Sequence, residues 1–198
     1  MSTATSHVRT ILDDGEQRFP LNLKPKYPQI HHLWQKSKEL SWDPETAIPW
    51  DDFDATKYTP EQLDGARLYW SRRAWTEYTG TAESPGILIR LCMEHEREIE
   101  ARYFYAGMVL EETKHCEASY LFAEKLGGYI SEPPIQANKQ LHERGIRDNV
   151  FNPDITFESF LIAHICIGET IALDLFNERV KHTTDPVARE LVRLITRD

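Results

Sequence analysis

A glutamate and a histidine stand three residues apart in Glu112-Thr-Lys-His115. On an α-helix this spacing puts both side chains on one face, where a carboxylate and an imidazole can hold the same metal ion. The pair interrupts a row of mostly apolar residues at helical spacing, namely Ala101, Tyr105, Met108, Cys116, Ser119 and Phe122. An exposed amphipathic helix would also produce Glu-x-x-His by chance, but the apolar row favours a buried metal site.

Two further glutamates lie in comparable rows. Glu77 ends a row formed by Leu63, Ala66, Trp70 and Ala74, and Glu169 lies within a row formed by Ile162, Ile165, Ala172 or Leu173, Phe176 and Val180. Carboxylates buried around one point repel each other and become protonated unless cations neutralise them. We therefore predict that Glu77, Glu112, His115 and Glu169 are metal ligands. Glu83 is an alternative to Glu77.

The predicted donors are oxygen and imidazole groups without a pair of thiolates. Such donors suit iron or manganese better than copper, and zinc is disfavoured. Redox-active iron is the metal that dioxygen activation needs.

Helices must position these residues, and proline and glycine mark their limits. Five prolines fall between residues 20 and 49, which predicts an arm of extended segments and short turns over residues 1–58, anchored by Trp34, Trp42, Trp50 and Phe53. The N-cap sequence Thr59-Pro-Glu-Gln predicts the start of a helix, and residues 59–198 are predicted to form a helical bundle.

A second helix is predicted to run from Ser84-Pro85-Gly86 to Gly127-Gly128. Residues 129–154 are expected to form a crossover with one short helix. A third helix is predicted over residues 157–181, and a fourth after Thr184-Asp185-Pro186, with Val187, Leu191, Leu194 and Ile195 facing inward. The fold class is therefore predicted to be all-α.

Composition limits the partners of the protein. The net charge of -9 and the pI near 5.4 disfavour a nucleic-acid backbone or an anionic membrane as a partner. Three cysteines without paired spacing disfavour a disulfide framework. The chain has no apolar run long enough for a membrane span and no signal-peptide core, so we expect a soluble, cytoplasmic protein.

Three passages resemble the ferritin-like di-metal carboxylate superfamily, especially ribonucleotide reductase small subunits, their ligand-binding oxidase relatives and diiron N-oxygenases. Residues 40–53, LSWDPETAIPWDDF, resemble the tryptophan-rich arm before the first ligand helix. Residues 107–122, GMVLEETKHCEASYLF, resemble the helix with the first Glu-x-x-His, and residues 162–176, IAHICIGETIALDLF, resemble the helix with the second lone glutamate. The resemblance implies a four-helix bundle that binds two iron ions, or manganese and iron, and forms a homodimer.

The family's final core helix continues Arg-Asp-Glu-x-x-His, whereas this sequence ends at Thr196-Arg197-Asp198. The last core helix is therefore expected to be truncated, with the second Glu-x-x-His missing. Ser119 occupies the place of the radical-bearing tyrosine, which disfavours a tyrosyl-radical subunit. Gly80 and His164 occupy the places of the valine and tyrosine that are crosslinked in the oxidases, so this crosslink is not expected.

The resemblance and the predicted ligands together indicate a non-haem diiron oxidase or oxygenase. It would activate O2 to oxidise a small organic substrate in a pocket lined by Tyr105, Met108, Ala172 and Phe176. A fatty acyl chain, an aromatic amine and an amino acid all stay open as substrates. The alternatives are a ribonucleotide reductase small-subunit-like protein, a non-catalytic iron-binding protein of the same superfamily and a metal-free helical interaction module.

Overall fold

The computed structural model describes residues 23–80, 83–93, 98–131 and 149–198, without the side chains of 79, 80, 83 and 164. Within these ranges the regular secondary structure is helical and contains no strand. The all-α prediction is confirmed. No helix in the described ranges combines the length and the apolar character that crossing a membrane requires. Most of the predicted crossover, residues 132–148, lies outside the described residues.

Seven α-helices and one π-helical turn follow one another along the described chain. They are α1 (Pro28–Leu40), α2 (Pro60–Gly80), α3 (Glu83–Met93), α4 (Ile99–Lys125), α5 (Phe157–Leu161), the π turn (Ile162–Cys166), α6 (Ile167–His182) and α7 (Pro186–Arg197). Helix α4 is central, because α1, α2 and α3 all pack along it, while α6 packs against α7. Two 3-10 turns, Trp50–Asp52 and Ala55–Lys57, connect α1 to α2.

Side-chain caps fix the starts of the predicted helices. At α2 the Thr59 N–H donates to Gln62 Oε1 at 2.9 Å, and the Gln62 N–H donates to Thr59 Oγ1 at 3.3 Å, which is a reciprocal capping box. At α7 the Ala188 N–H donates to Asp185 Oδ1 at 2.8 Å. Both predicted starts are confirmed.

The N-terminal arm contains a helix where extended chain was predicted. Pro28 lies in the first turn of α1, where a missing N–H breaks no helical hydrogen bond, and the sequence has no further proline until Pro44. The prediction of extended segments is therefore wrong for this stretch. Just before α1, the backbone N–H groups of Lys26 and Tyr27 both donate to the fully buried Glu100 carboxylate.

The single helix predicted from residue 84 to residue 127 is also wrong. Glu98 has an extended conformation (φ -65°, ψ 134°), so α3 and α4 are separate helices. In the sequence, Glu94 and Glu98, and Glu96 and Glu100, would be like-charge pairs at i,i+4, which destabilise a continuous helix. The predicted glycine stop is confirmed: Gly128 has φ 105°, and its N–H donates to the Ala123 carbonyl at 3.1 Å.

The third predicted helix has the expected extent, but a π turn interrupts it. Such a turn holds one more residue than an α-helical turn and therefore shifts the side-chain register. Ile165, Ala172, Phe176 and Val180 face inward as predicted, whereas Ile162 is 53% exposed and Leu173 is 52% exposed. The predicted inward row is therefore wrong at Ile162, and of the two alternatives Ala172 and Leu173 it is Ala172 that packs inward.

The largest buried cluster joins the arm to the helices. Phe122 of α4 lies with its ring centroid 5.8 Å from Trp50, 5.4 Å from Phe53 and 5.2 Å from Trp70. The inward residues of α7 that were predicted from the sequence, Val187, Leu191, Leu194 and Ile195, complete this cluster. This packing determines how deeply the polar residues of α2, α4 and α7 are buried.

Candidate metal centre

Three of the four predicted ligands converge. Glu77 of α2 and Glu112 and His115 of α4 each offer one ligand atom, and these atoms lie within 4.8 Å of one another. The side chains are 12%, 18% and 9% exposed, respectively. The convergence follows from the packing of α2 along α4 and from the i,i+3 spacing within α4.

Glu169 is the predicted ligand that does not join this cluster. Its side chain is exposed on α6, although Ala172 and Phe176 on the same stripe pack inward, and it is not part of the three-residue cluster. Its role as a ligand stays a prediction. Glu77 lies in the cluster, whereas the side chain of Glu83, the alternative first ligand, lies outside the described residues.

The His115 ring is held at both nitrogens. Nδ1 lies 3.4 Å from Glu112 Oε2, and Nε2 lies 3.2 Å from Asp198 Oδ2. Trp42 Nε1 donates to the same Asp198 oxygen at 2.6 Å, and the Asp198 side chain is only 4% exposed. A carboxylate at one imidazole nitrogen orients the ring and fixes its tautomer. Here Asp198 does so at Nε2, and Nδ1 faces Glu112, a predicted metal ligand.

Burial and neighbouring charge set the ionisation of the two carboxylates in the cluster. Burial raises the pKa of Glu77 to about 7, with Arg73 opposing this shift and Glu112 adding to it. Burial also disfavours the charged form of Glu112, but the hydrogen bond with His115 and its charge, the hydrogen bond with Glu77 and the charge of Arg73 together outweigh burial, so the pKa of Glu112 lies below its ordinary value.

Two groups at the other side of the cluster are stabilised in their charged forms. Burial disfavours the imidazolium of His115, but hydrogen bonds with Asp198 and Glu112 outweigh it and raise its pKa to about 9. Burial likewise opposes ionisation of Asp198, but the hydrogen bonds from His115 and Trp42 hold its pKa below the ordinary value. A divalent ion would have to displace the protons on Glu77 and His115.

An arginine pairs with one of the three converging residues. Arg73 forms an ion pair with Glu77 one turn later on α2, and its guanidinium carbon lies 4.4 Å from the centroid of the Phe176 ring. The cluster is therefore a buried network of acid and base, in which Arg73 and His115 balance Glu77 and Glu112.

A second buried pair borders the cluster. Lys114 is 7% exposed, forms an ion pair with Glu111 and donates to Ser41 Oγ at 3.4 Å. Its amine also lies 5.2 Å from the centroid of the Trp42 ring. These contacts attach the segment after α1 to the face of α4 next to His115.

Ser119, which the resemblance aligns with a radical-bearing tyrosine, is buried. Ser119 Oγ donates to the His115 carbonyl at 2.7 Å, while the adjacent Tyr120 is 42% exposed. Gly80 and His164, which the resemblance places at the crosslink positions, are described only through their backbone.

Sequence reasoning missed the roles of Asp198, Trp42 and Arg73. Asp198 carried a usable signal, because it continues the inward row of Leu191 and Leu194 on α7 at helical spacing. Trp42 gave no comparable signal, since its partner is 156 residues away in the sequence.

The donor set fits a hard or borderline divalent ion. Two carboxylates and one imidazole converge in a mostly buried position, and a carboxylate orients the imidazole, as is usual for metal-ligating histidines. Comparisons of the chain with protein-family models, curated proteins and solved structures give no match.

Proposed function

We propose that this protein is a non-haem diiron oxidase or oxygenase that activates O2 to oxidise a small organic substrate. The observation that supports the proposal best is the convergence of Glu77, Glu112 and His115 within 4.8 Å at a mostly buried position. A buried ion-pair network would also gather such residues. The carboxylate that orients His115 from the far side of its ring favours a metal site over a network of ion pairs alone.

The proposed architecture is a ferritin-like bundle whose core helices are α2, α4, α6 with its preceding π turn, and α7. Di-metal proteins of this kind take ligands from each of four core helices. Glu77 lies on α2, Glu112 and His115 on α4, and Glu169 on α6, while the Asp198 side chain at the end of α7 contacts His115. This distribution of acidic residues over four helices supports the architecture.

Each residue has a defined role in the proposal. Glu77, Glu112, His115 and Glu169 would hold the metal ions, and Asp198 would keep the His115 ring oriented through Nε2. Bound ferrous iron would supply the electrons that reduction of dioxygen requires. Tyr105 lies two turns and Met108 one turn before Glu112. Both pack against the buried cluster that contains Ile87, Leu91 and Phe160, and both would line the substrate pocket.

The test is anaerobic loading with ferrous iron, followed by metal analysis and measurement of oxygen uptake. In a protein that also carries the second Glu-x-x-His, we expect about two iron ions per chain, as in di-metal carboxylate bundles. Glu112→Gln and His115→Ala are each expected to lose most of the bound iron. Glu117→Gln is the matched control, because Glu117 is an exposed glutamate on the same helix and should leave iron binding unchanged.

The outcomes separate the candidate functions. Iron binding together with substrate-dependent oxygen uptake supports the oxidase. Iron binding without oxygen uptake, over a panel of fatty acids, aromatic amines and amino acids, indicates the non-catalytic iron-binding alternative. If the wild-type protein and Glu117→Gln bind no iron, the proposal is wrong and a metal-free helical module is the better interpretation.

A further inference from the structure

Arg73 makes an unusual ion pair for a helix surface. Pairs at i,i+4 are normally solvated and contribute little, but here the side chains of Arg73 and Glu77 are only 16% and 12% exposed. Glu77 is also one of the three converging ligand residues. The guanidinium is therefore in contact with an oxygen donor of the candidate metal centre.

The rest of the guanidinium is weakly held. One face lies over the Phe176 ring, and the Nε atom is buried without a hydrogen-bond partner among the described residues. Arg179 lies over the same ring, with its guanidinium carbon 5.1 Å from the centroid, and donates to the Tyr69 hydroxyl at 2.6 Å. Arg73 thus combines a strong contact with Glu77 and an incomplete set of other contacts.

A guanidinium and a divalent cation at the same carboxylate repel each other strongly, because few water molecules screen them. The Arg73 ion pair therefore opposes the binding of a metal ion at Glu77. We propose that Arg73 occupies, in the metal-free chain, the place at Glu77 that a metal ion takes, so that the centre is loaded by displacement of this guanidinium. The inference rests on the metal-binding part of the proposed function and not on oxidase activity.

If Arg73 must be displaced, Glu77 is expected to bind a metal ion less tightly than Glu112 and His115 do. The Glu112 and His115 end has no arginine paired to its carboxylate in the described structure, whereas the Glu77 end carries Arg73. An ion is therefore expected to bind first between Glu112 and His115. Binding of a metal ion at Glu77 follows, and in the wild-type chain it is weaker than binding between Glu112 and His115.

The experiment is titration of the metal-free protein with Mn²⁺, followed by calorimetry and by metal analysis after dialysis. Arg73→Gln removes the competing charge, and Arg72→Gln is the matched control, since Arg72 is the exposed neighbour on the same helix. Arg73→Gln is expected to bind Mn²⁺ about tenfold more tightly, the factor that corresponds to one charge-assisted hydrogen bond of about 1.4 kcal/mol. Arg72→Gln is expected to match the wild type.

Equal or weaker Mn²⁺ binding by a folded Arg73→Gln overturns the inference. Binding that is tighter than wild type, or that occurs only in Arg73→Gln, supports it. If the wild type and both variants bind no Mn²⁺, the metal centre itself is wrong and the proposed function fails with it. Thermal unfolding of each variant establishes that it is folded.

A second measurement uses the wild type, in case Arg73→Gln does not fold. Phenylglyoxal modifies accessible guanidinium groups, and peptide mass spectrometry reports the modification of Arg73 and Arg72 separately. Mn²⁺ is expected to increase modification of Arg73 and to leave Arg72 unchanged. No change, or protection of Arg73 by Mn²⁺, overturns the inference.

Discussion

At the scale of single residues, the contact that organises the centre is the one between His115 and Asp198. The aspartate directly follows the last residue of α7, accepts a hydrogen bond from Trp42 and faces the His115 nitrogen that points away from Glu112. An imidazole held in this way loses little rotational freedom when it binds a metal ion. The orientation of His115 therefore depends on residues from three parts of the chain.

Replacing Asp198 tests this dependence. Asp198→Asn keeps the size of the side chain but removes its charge, and we expect Mn²⁺ or Fe²⁺ affinity to fall about 10- to 100-fold, the usual effect of losing the carboxylate behind a ligating histidine. Calorimetric titration measures the change. Asp174→Asn, at an exposed aspartate of α6, is the control. Equal affinities in Asp198→Asn and the wild type would contradict this role.

The sequence predicted the local part of the centre and missed the long-range part. Glu112 and His115 were predictable because their spacing on one helix fixes their proximity, and Glu77 because it ends an apolar row. The contacts of Trp42 with Asp198 and of Arg73 with Phe176 join residues that are far apart in the chain. Only the packing of the helices brings such residues together.

At the scale of elements, one aspartate links two segments at the start of α7. Asp185 accepts the Ala188 N–H through Oδ1 and the Tyr58 hydroxyl through Oδ2 at 2.7 Å. The hydrogen bond to Asp185, with burial adding to its effect, raises the pKa of Tyr58 to about 12. The cap of α7 is therefore also the attachment point of the segment that precedes α2.

This hydrogen bond predicts a dependence of stability on alkaline pH. Tyr58→Phe is expected to lower the free energy of unfolding by about 1 kcal/mol at neutral pH. Because the folded-state pKa lies above the unfolded value of about 10, the stabilisation is complete below about pH 10 and is lost as the pH rises towards about 12.

Urea unfolding of the wild type and Tyr58→Phe across this pH range measures the effect. The difference between the two proteins should shrink above about pH 10. Tyr120→Phe, at an exposed tyrosine, is the control. A difference between wild type and Tyr58→Phe that stays constant throughout would show that the hydroxyl does not carry the effect.

Arg90 holds the segment before α5 in place. Its side chain is buried and donates to the carbonyls of Val150, Asn152 and Ile155 at 3.2, 3.3 and 2.6 Å. Arg90→Met would leave these buried acceptors without their charged donor, and we expect a loss of about 3 kcal/mol in the free energy of unfolding. Chemical denaturation measures it.

The control for Arg90→Met is Arg193→Met, which breaks an i,i+3 ion pair with Glu190 at the helix surface and should change stability by well under about 1 kcal/mol. If both variants lose the same stability, the backbone contacts of Arg90 are not what stabilises the segment.

Helix starts were more predictable than helix interruptions. Thr59 with Gln62, and Asp185 with Pro186, are local signals, and the hydrogen bonds that they predict are present. The π turn depends on how α5 and α6 pack on their neighbours and has no equivalent local signature. The helix at Pro28–Leu40 was not predicted, because the prolines on both sides of it favour extended chain over helix.

At the scale of the whole molecule, Phe122 connects the arm, α2 and α4. Phe122→Ala would remove a ring that is 2% exposed and contacts three aromatic side chains, and we expect a loss of about 3 to 5 kcal/mol in the free energy of unfolding. Thermal or urea unfolding measures it. Phe151→Ala, at a phenylalanine that is 65% exposed, should cost little. Similar losses in both variants would contradict the central position of Phe122.

The Trp42 indole also gives the centre an optical reporter. Its ring lies 6.4 Å from that of His115, and its N–H is bonded to the aspartate that orients the same histidine. A paramagnetic ion bound at His115 would quench the fluorescence of this indole, because quenching of this kind acts over short distances. The emission that Trp42→Phe removes would therefore follow occupancy of the centre in solution, without any added dye.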